Sequence, residues 1–260
     1  MKVVIAGLGK SGTTALFFTV KQAMPPDTHH LFEPSRFDAR TGTASNVLAK
    51  ILIRDGGATD YASFDDFEKK VLIIRDPRDI IVSRVLYDIY NAPDACRDDA
   101  KIDAFVRLLR RKEAEPHNIS LLEIIDLLDR ICGRGVLRRT ATAGDLALEF
   151  QRGHADYFVF RYEDFVRADL APLERYVGLT LAAGPRVVPA KLSRVDRTKA
   201  SGNWRNWLTP ADVEFFRPRL AQFMRNNGYS EDWTLASSPS ISPEHSSDYV
   251  LRIAAERRAL

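Results

Sequence analysis

The sequence predicts an α/β fold, a parallel β-sheet with helices on both faces and a helical insertion. Three observations predict it. A short apolar run, Val3-Val4-Ile5-Ala6, opens the chain and passes through a glycine-rich turn into a helix-like segment that must stop before Pro25-Pro26. Further apolar runs of strand length alternate with helical periodicity as far as Tyr90. Residues 91–156 then show helical spacing alone, and strand character returns at Tyr157-Phe158-Val159-Phe160.

Each element follows from its own residues. His30-Leu31-Phe32-Glu33 reads as a short strand broken by Pro34. Val47 to Ile53 is a buried strand ended by Asp55-Gly56-Gly57, and Phe64 to Phe67 looks like the start of a short helix. Val71-Leu72-Ile73-Ile74 is a strand that runs into Arg75-Asp76-Pro77-Arg78-Asp79. Pro77 suits a first helical turn, and an amphipathic helix continues from Ile80 to Tyr90. In the insertion, Ile102, Phe105, Val106 and Leu109 share one helical face, as do Leu121, Ile124, Ile125, Leu128 and Ile131. Two or three helices are expected there. Leu170 to Val177 reads as a helix and residues 182–203 as a long surface loop. Thr209-Pro210 opens a helix, Ala211 to Asn226, closed by Gly228. A tail from 234 to 260 ends in a charged helix, Tyr249 to Arg258.

Composition bounds the function. The 260 residues suit one large domain, with 91–156 as its insertion. Apolar content of 45% and charged content of 28% are ordinary for a globular chain. A net charge of +3 demands no nucleic acid. No apolar run has the length of a membrane span, and the first strand leaves no room for a signal peptide before it. Cys96 and Cys132 have no metal spacing and read as reduced thiols, which implies a cytoplasmic protein. No metal cluster is expected.

The opening turn, Gly7-Leu8-Gly9-Lys10-Ser11-Gly12-Thr13-Thr14, has the layout of a phosphate cradle. Its glycines let backbone N–H groups converge on an anion, and the helix N-terminus and Lys10 add positive charge. Gly7, Gly9 and Gly12 satisfy the dinucleotide fingerprint, with Glu33 ending the next strand about twenty residues on. An ATP or GTP loop fits Gly7, Gly12 and Thr14 but has Thr13 where lysine must stand. The third reading takes Lys10-Ser11-Gly12-Thr13-Thr14 as a 5′-phosphosulfate loop. The turn alone leaves the first and third open.

Two later motifs separate them. Arg75 leaves a buried strand and Ser83 follows eight residues later on the next helix, whose geometry can return the hydroxyl towards the strand end. A guanidinium and a hydroxyl make a second anion site. Arg197 to Trp204, followed by Arg205-Asn206-Trp207, is a basic loop with a glycine and two tryptophans, suited to fold over a nucleotide. Taken singly, each has a bland alternative: a sheet-capping arginine with a surface serine, and a solvated loop pinned by aromatic packing.

Together these motifs resemble the sulfotransferases that use 3′-phosphoadenosine 5′-phosphosulfate (PAPS), from Lys2 to about Trp233. Lys10 to Thr14 matches the family's phosphosulfate loop. Arg75…Ser83 matches its 3′-phosphate motif, and Arg161-Tyr162-Glu163-Asp164 resembles its Tyr-Glu-Asp strand end, whose tyrosine lies by the adenine. Arg197 to Trp204 is similar to its Arg-Lys-Gly-x-x-Gly-x-Trp-Lys loop, with Thr198 for a lysine and Lys199 for the first glycine.

The resemblance implies a bacterial sulfotransferase with a P-loop NTPase-like sheet and PAPS as donor, without metal. It gives Lys10 the leaving phosphate oxygens and gives Ser11, Gly12, Thr13 and Thr14 the 5′-phosphate. Arg75, Ser83 and Arg197, with Gly202, take the 3′-phosphate, and Tyr162 takes the adenine. Asp76 is expected in a structural hydrogen bond. The family's Lys-x-His strand reads Lys50-Ile51-Leu52 here, so Lys50 remains to face the sulfate and the base must come from elsewhere. Glu33 is the choice, where carbohydrate-type members place a glutamate; His29 and His30 are weaker.

The acceptor is then a hydroxyl on a carbohydrate or related metabolite. Arg107, Arg110, Arg111 and Lys112, with Arg134, Arg138 and Arg139, suggest an acidic glycan if part of them lines the acceptor cleft, and a solvated face if not. A dehydrogenase using NAD(P) through Gly7-Gly9-Gly12 and a non-catalytic nucleotide-binding protein are the alternatives.

Overall fold

The computed structural model describes residues 1–38, 45–54, 56–57, 59–182, 192, 194 and 200–260. Its elements run β1 (Lys2–Leu8), α1 (Thr13–Ala23), β2 (His29–Phe32), β3 (Val47–Ile53), β4 (Lys69–Ile74), α2 (Pro77–Asp88), α3 (Pro93–Cys96), α4 (Asp99–Ala114), α5 (Leu121–Cys132), α6 (Val136–Ala141), α7 (Ala143–Gly153), β5 (Phe158–Arg161), α8 (Tyr162–Val166), α9 (Ala171–Val177), α10 (Trp204–Trp207), α11 (Pro210–Asn226) and α12 (Ser247–Arg258). The chain forms two compact units.

The first unit, Met1–Arg75 and Asp145–Ser193, holds a five-stranded sheet in the order β2-β3-β1-β4-β5. Every strand pair is parallel. Val3, Val4, Ile5 and Ala6 are all inaccessible to solvent, so β1 is covered on both faces. That explains its unbroken apolar run, since alternation is needed only where one face is wet. The core of this unit joins α1 (Leu16, Phe17, Val20) to β1, β4, β5 and α9.

The strand order bears on the cradle. In a dinucleotide fold of order 3-2-1-4-5-6, the second strand lies beside the first and its terminal carboxylate reaches the ribose. Here β1 pairs with β3, and β2 is the outer edge. Glu33 therefore ends a strand one place further out than the dinucleotide reading requires.

The second unit, Asp76–Gly144 and Arg194–Leu260, is helical, with a core running from Ile81 and Val85 through Phe105 and Leu128 to Trp204, Phe216 and Ile253. It is larger than the expected insertion, since it takes in α2 and the C-terminal chain. Five helices, α3 to α7, occupy the span where two or three were expected. The difference arises from Pro93, Pro116 and the left-handed Gly133 and Gly135, which break the apolar periodicity into short segments. The short helix expected at Phe64–Phe67 is instead a 3₁₀ turn, Tyr61–Phe64.

Asp212 organises this unit. Fully buried, it accepts from Leu121 N (2.9 Å) and Leu122 N (2.9 Å) of α5 and from Thr209 N (2.8 Å) at the start of α11. One carboxylate thus satisfies orphan N–H groups at two helix N-termini.

Candidate functional site: the turn after the first strand

The β1–α1 turn is built tightly. Gly7 has no room for a side chain: a Cβ there would stand 2.7 Å from Ile73 O and 2.8 Å from Thr13 Cγ2. Gly12 has a left-handed φ of +99°, and its Cβ would stand 2.4 Å from the Tyr162 ring. Gly9 meets neither constraint from its neighbours. The other left-handed residue is Lys10, at φ 74°, a conformation that costs a non-glycine residue of order 1–3 kcal/mol.

The α1 N-terminus has no side-chain cap and no acidic residue in its first turn. Its leading N–H groups lack intrahelical partners and carry the positive end of the helix dipole. Ser11 turns inwards. Its hydroxyl donates to Leu8 O at 2.8 Å, and its N–H points to the same carbonyl at 3.2 Å. Ser11, 1% exposed, closes the turn, and its hydroxyl has no second proton to give an anion. Thr13 is buried at the first helical position.

Two cations flank the turn. Arg75, at the end of β4, donates Nη1 to Lys10 O at 3.2 Å, and its guanidinium lies 4.4 Å from the Tyr162 ring centroid. Tyr162 thus lies against both Gly12 and Arg75. On the other side, Lys50 of β3 is 2% exposed and donates to Thr14 Oγ1 at 3.0 Å. The same ammonium pairs with Glu33 Oε1 at 2.5 Å and lies 4.2 Å from the Phe32 ring centroid. Glu33 Oε2 pairs with Arg54 at 2.5 Å. Glu33 itself is left-handed, at φ 55°, just past β2. So Thr14, Lys50, Glu33 and Arg54 form one continuous polar chain.

His30 stands apart from that chain. Its ring meets Phe17 edge-on at 6.2 Å, and burial lowers its pKa, with Lys21 and His29 adding to the shift.

Ser83 and Gly202 belong to the second unit. Ser83 is 5% exposed on α2. Asp76 caps that helix by accepting from Arg78 N at 2.9 Å and pairs with the Arg78 side chain at 2.7 Å. Gly202 is left-handed at φ +80°, and its N–H donates to Asp79 at 2.6 Å. Arg197 lies outside the described residues.

Three residues of the basic cluster have partners within the second unit. Arg139 pairs with Asp88 at 3.1 Å, and Arg134 donates to Asn91 O. Lys112 is fully buried and donates to Ile119 O at 2.6 Å. Sequence reasoning missed Arg54 and Asp79. Asp79 stood within a motif already singled out, but Arg54 had no signal beyond its place after β3.

Among the described residues, no group of three or more His, Cys, Asp or Glu is arranged to hold a metal ion. No helix among them is long and apolar enough to cross a membrane. Both cysteines are free.

No protein-family model matches the sequence, and no curated protein matches it. Solved structures do match the fold. A mouse sulfotransferase, SULT7A1, crystallised as a complex with PAP, superposes with a TM-score of 0.54 at 15% identity, covering 87% of this chain and 84% of that one. The likeness is one of architecture, a parallel five-stranded sheet flanked by helices, and the chain has the sulfotransferase fold.

Proposed function

We propose that the protein is a PAPS-dependent sulfotransferase that moves a sulfuryl group to an acceptor hydroxyl on a carbohydrate or related metabolite. The observation that carries the reading is the β1–α1 turn: an uncapped helix N-terminus behind a left-handed glycine, flanked by Arg75 and Lys50. Such a turn binds an anion through backbone N–H groups and needs no metal to do so. The fold it shares with a PAP-bound sulfotransferase supports the same reading.

The residues divide the work. The N–H groups at the start of α1, with Thr13 and Thr14, hold the 5′-phosphate, while Lys10 neutralises charge that develops on the leaving oxygen. Arg75, Ser83 and Arg197, with Gly202, take the 3′-phosphate in this reading, and their support is the sequence motif. Tyr162 stands by the adenine. As the acceptor oxygen bonds to sulfur and the bond from sulfur to the 5′-phosphate oxygen breaks, Glu33 takes the acceptor's proton. Lys50 and Arg54 each hold one carboxylate oxygen, which leaves further lone pairs for that proton.

Calorimetry with adenosine 3′,5′-bisphosphate (PAP), adenosine 5′-monophosphate (AMP) and NAD tests the donor. PAP should bind far more tightly than the other two, and Arg75→Ala should cost about 2–4 kcal/mol of that binding. Equal affinity for PAP and AMP would sink the proposal. Transfer from labelled PAPS to a panel of glycans then identifies the acceptor, and activity should survive EDTA.

A further inference from the structure

Asp79 stands in the first turn of α2 and is 1% exposed. Both of its carboxylate oxygens reach one short stretch of backbone: Oδ2 accepts from Gly202 N at 2.6 Å and Oδ1 from Trp204 N at 3.1 Å. Beside it, Arg78 reinforces the same stretch. Its guanidinium lies 4.1 Å from the Trp204 ring centroid and 5.1 Å from that of Trp233, and Nη1 donates to Asp232 O at 2.5 Å. The basic loop is therefore fixed at its C-terminal end by two consecutive residues of α2.

Ser83 follows Asp79 by four residues, one turn further along the same helix face. A carboxylate about one helical pitch of 5.4 Å from an anion-binding hydroxyl would ordinarily repel the anion. Here the carboxylate accepts from two backbone donors, and what those bonds fix is the spacing between Gly202 and the helix that carries Ser83.

We infer that Asp79 is a positioning residue for the donor's 3′-phosphate, acting by pinning the Gly202–Trp204 backbone to α2. The inference rests on the sulfotransferase reading above. It assigns Asp79 no contact with the donor.

The test compares PAP with AMP, which differ only in the 3′-phosphate. In Asp79→Asn the amide NH₂ must face one of the two N–H groups, so one hydrogen bond is lost and two donors oppose each other. PAP affinity should fall about tenfold to a hundredfold while AMP affinity stays within about twofold. Gly202→Ala provides a second variant. Its Cβ meets nothing within 4 Å, so only the left-handed backbone at φ +80° is disturbed. It should show the same selective loss, with stability lowered by no more than the strain of one left-handed alanine, about 1 kcal/mol. Equal loss for PAP and AMP in both variants, or a lowered melting temperature with PAP affinity unchanged, would overturn the inference. Failure of the unaltered protein to distinguish PAP from AMP would instead defeat the sulfotransferase reading itself.

Discussion

Lys50 and Glu33 are joined by an ion pair of 2.5 Å, with Lys50 opposite Phe32 in the β2–β3 register and Glu33 the residue just past β2. Lys50 is buried in the sheet's α1 face, where an unpaired ammonium would be costly. Its second partner, Thr14 Oγ1 at 3.0 Å, ties the pair to the first turn of α1. Lysine is tolerated in a central strand because both ends of that bridge are present.

The pair should be energetically coupled. A double-mutant cycle of Lys50→Met and Glu33→Gln, followed by urea unfolding, should give an interaction of about 0.5–3 kcal/mol. Additive effects would mean that the contact contributes nothing to stability.

Glu33→Gln should separate catalysis from stability. The amide cannot accept the acceptor's proton, so kcat should fall roughly 10²–10⁴-fold while PAP affinity is unchanged. Single-turnover rates measured beside the melting temperature decide it. Turnover near that of the unaltered protein would remove Glu33 from the mechanism.

Lys10 should show the cost of its backbone. At φ 74° glycine is the comfortable residue, so Lys10→Gly should be more stable than Lys10→Ala by about 1 kcal/mol. Both variants should lose PAP binding, because both lose the ammonium. Denaturant titration and calorimetry on the two variants check each half.

Asp212→Asn should destabilise the second unit strongly. Leu121 N, Leu122 N, Thr209 N and Thr209 Oγ1 all approach the buried carboxylate within 2.9 Å, and an amide offers only one acceptor atom. The expected loss is about 2–4 kcal/mol by chemical denaturation. A loss within about 0.5 kcal/mol, the usual range for surface substitutions, would show that Asp212 does not hold the two helices.

Lys112 should make stability rise with pH. Burial lowers its pKa to about 8 from 10.5, partly offset by Asp212 and Glu123. Between those two values the unfolded chain keeps a proton that the folded chain has released, so stability increases as pH rises through the window. The gain is fully present above 10.5 and lost as pH falls through about 8. Lys112→Met should flatten that rise, and parallel unfolding curves at pH 7.5, 9 and 10.5 would show it. Identical slopes in the two proteins would contradict the assignment.

The sequence by itself determined the sheet, the cradle and their order along the chain. Val3 to Ala6 and Val47 to Ile53 are nearly continuous apolar runs because parallel strands bury both faces, and Thr209-Pro210 opens α11 because capping is local chemistry. Gly7, Lys10 and Gly12 were legible as a turn because backbone conformation constrains residue type.

Only the tertiary structure decided which strand lies beside β1. Consecutive elements of the chain need not be neighbours in a sheet, and the position of β3 between β1 and β2 places Lys50, and through it Glu33, against Thr14. It also turned Ser11 inwards to Leu8, gave Arg54 a carboxylate, and used Asp79 to hold backbone more than a hundred residues away in the chain. Those contacts join residues distant in sequence, and hydrophobic period and local propensity carry no term that relates such residues to one another.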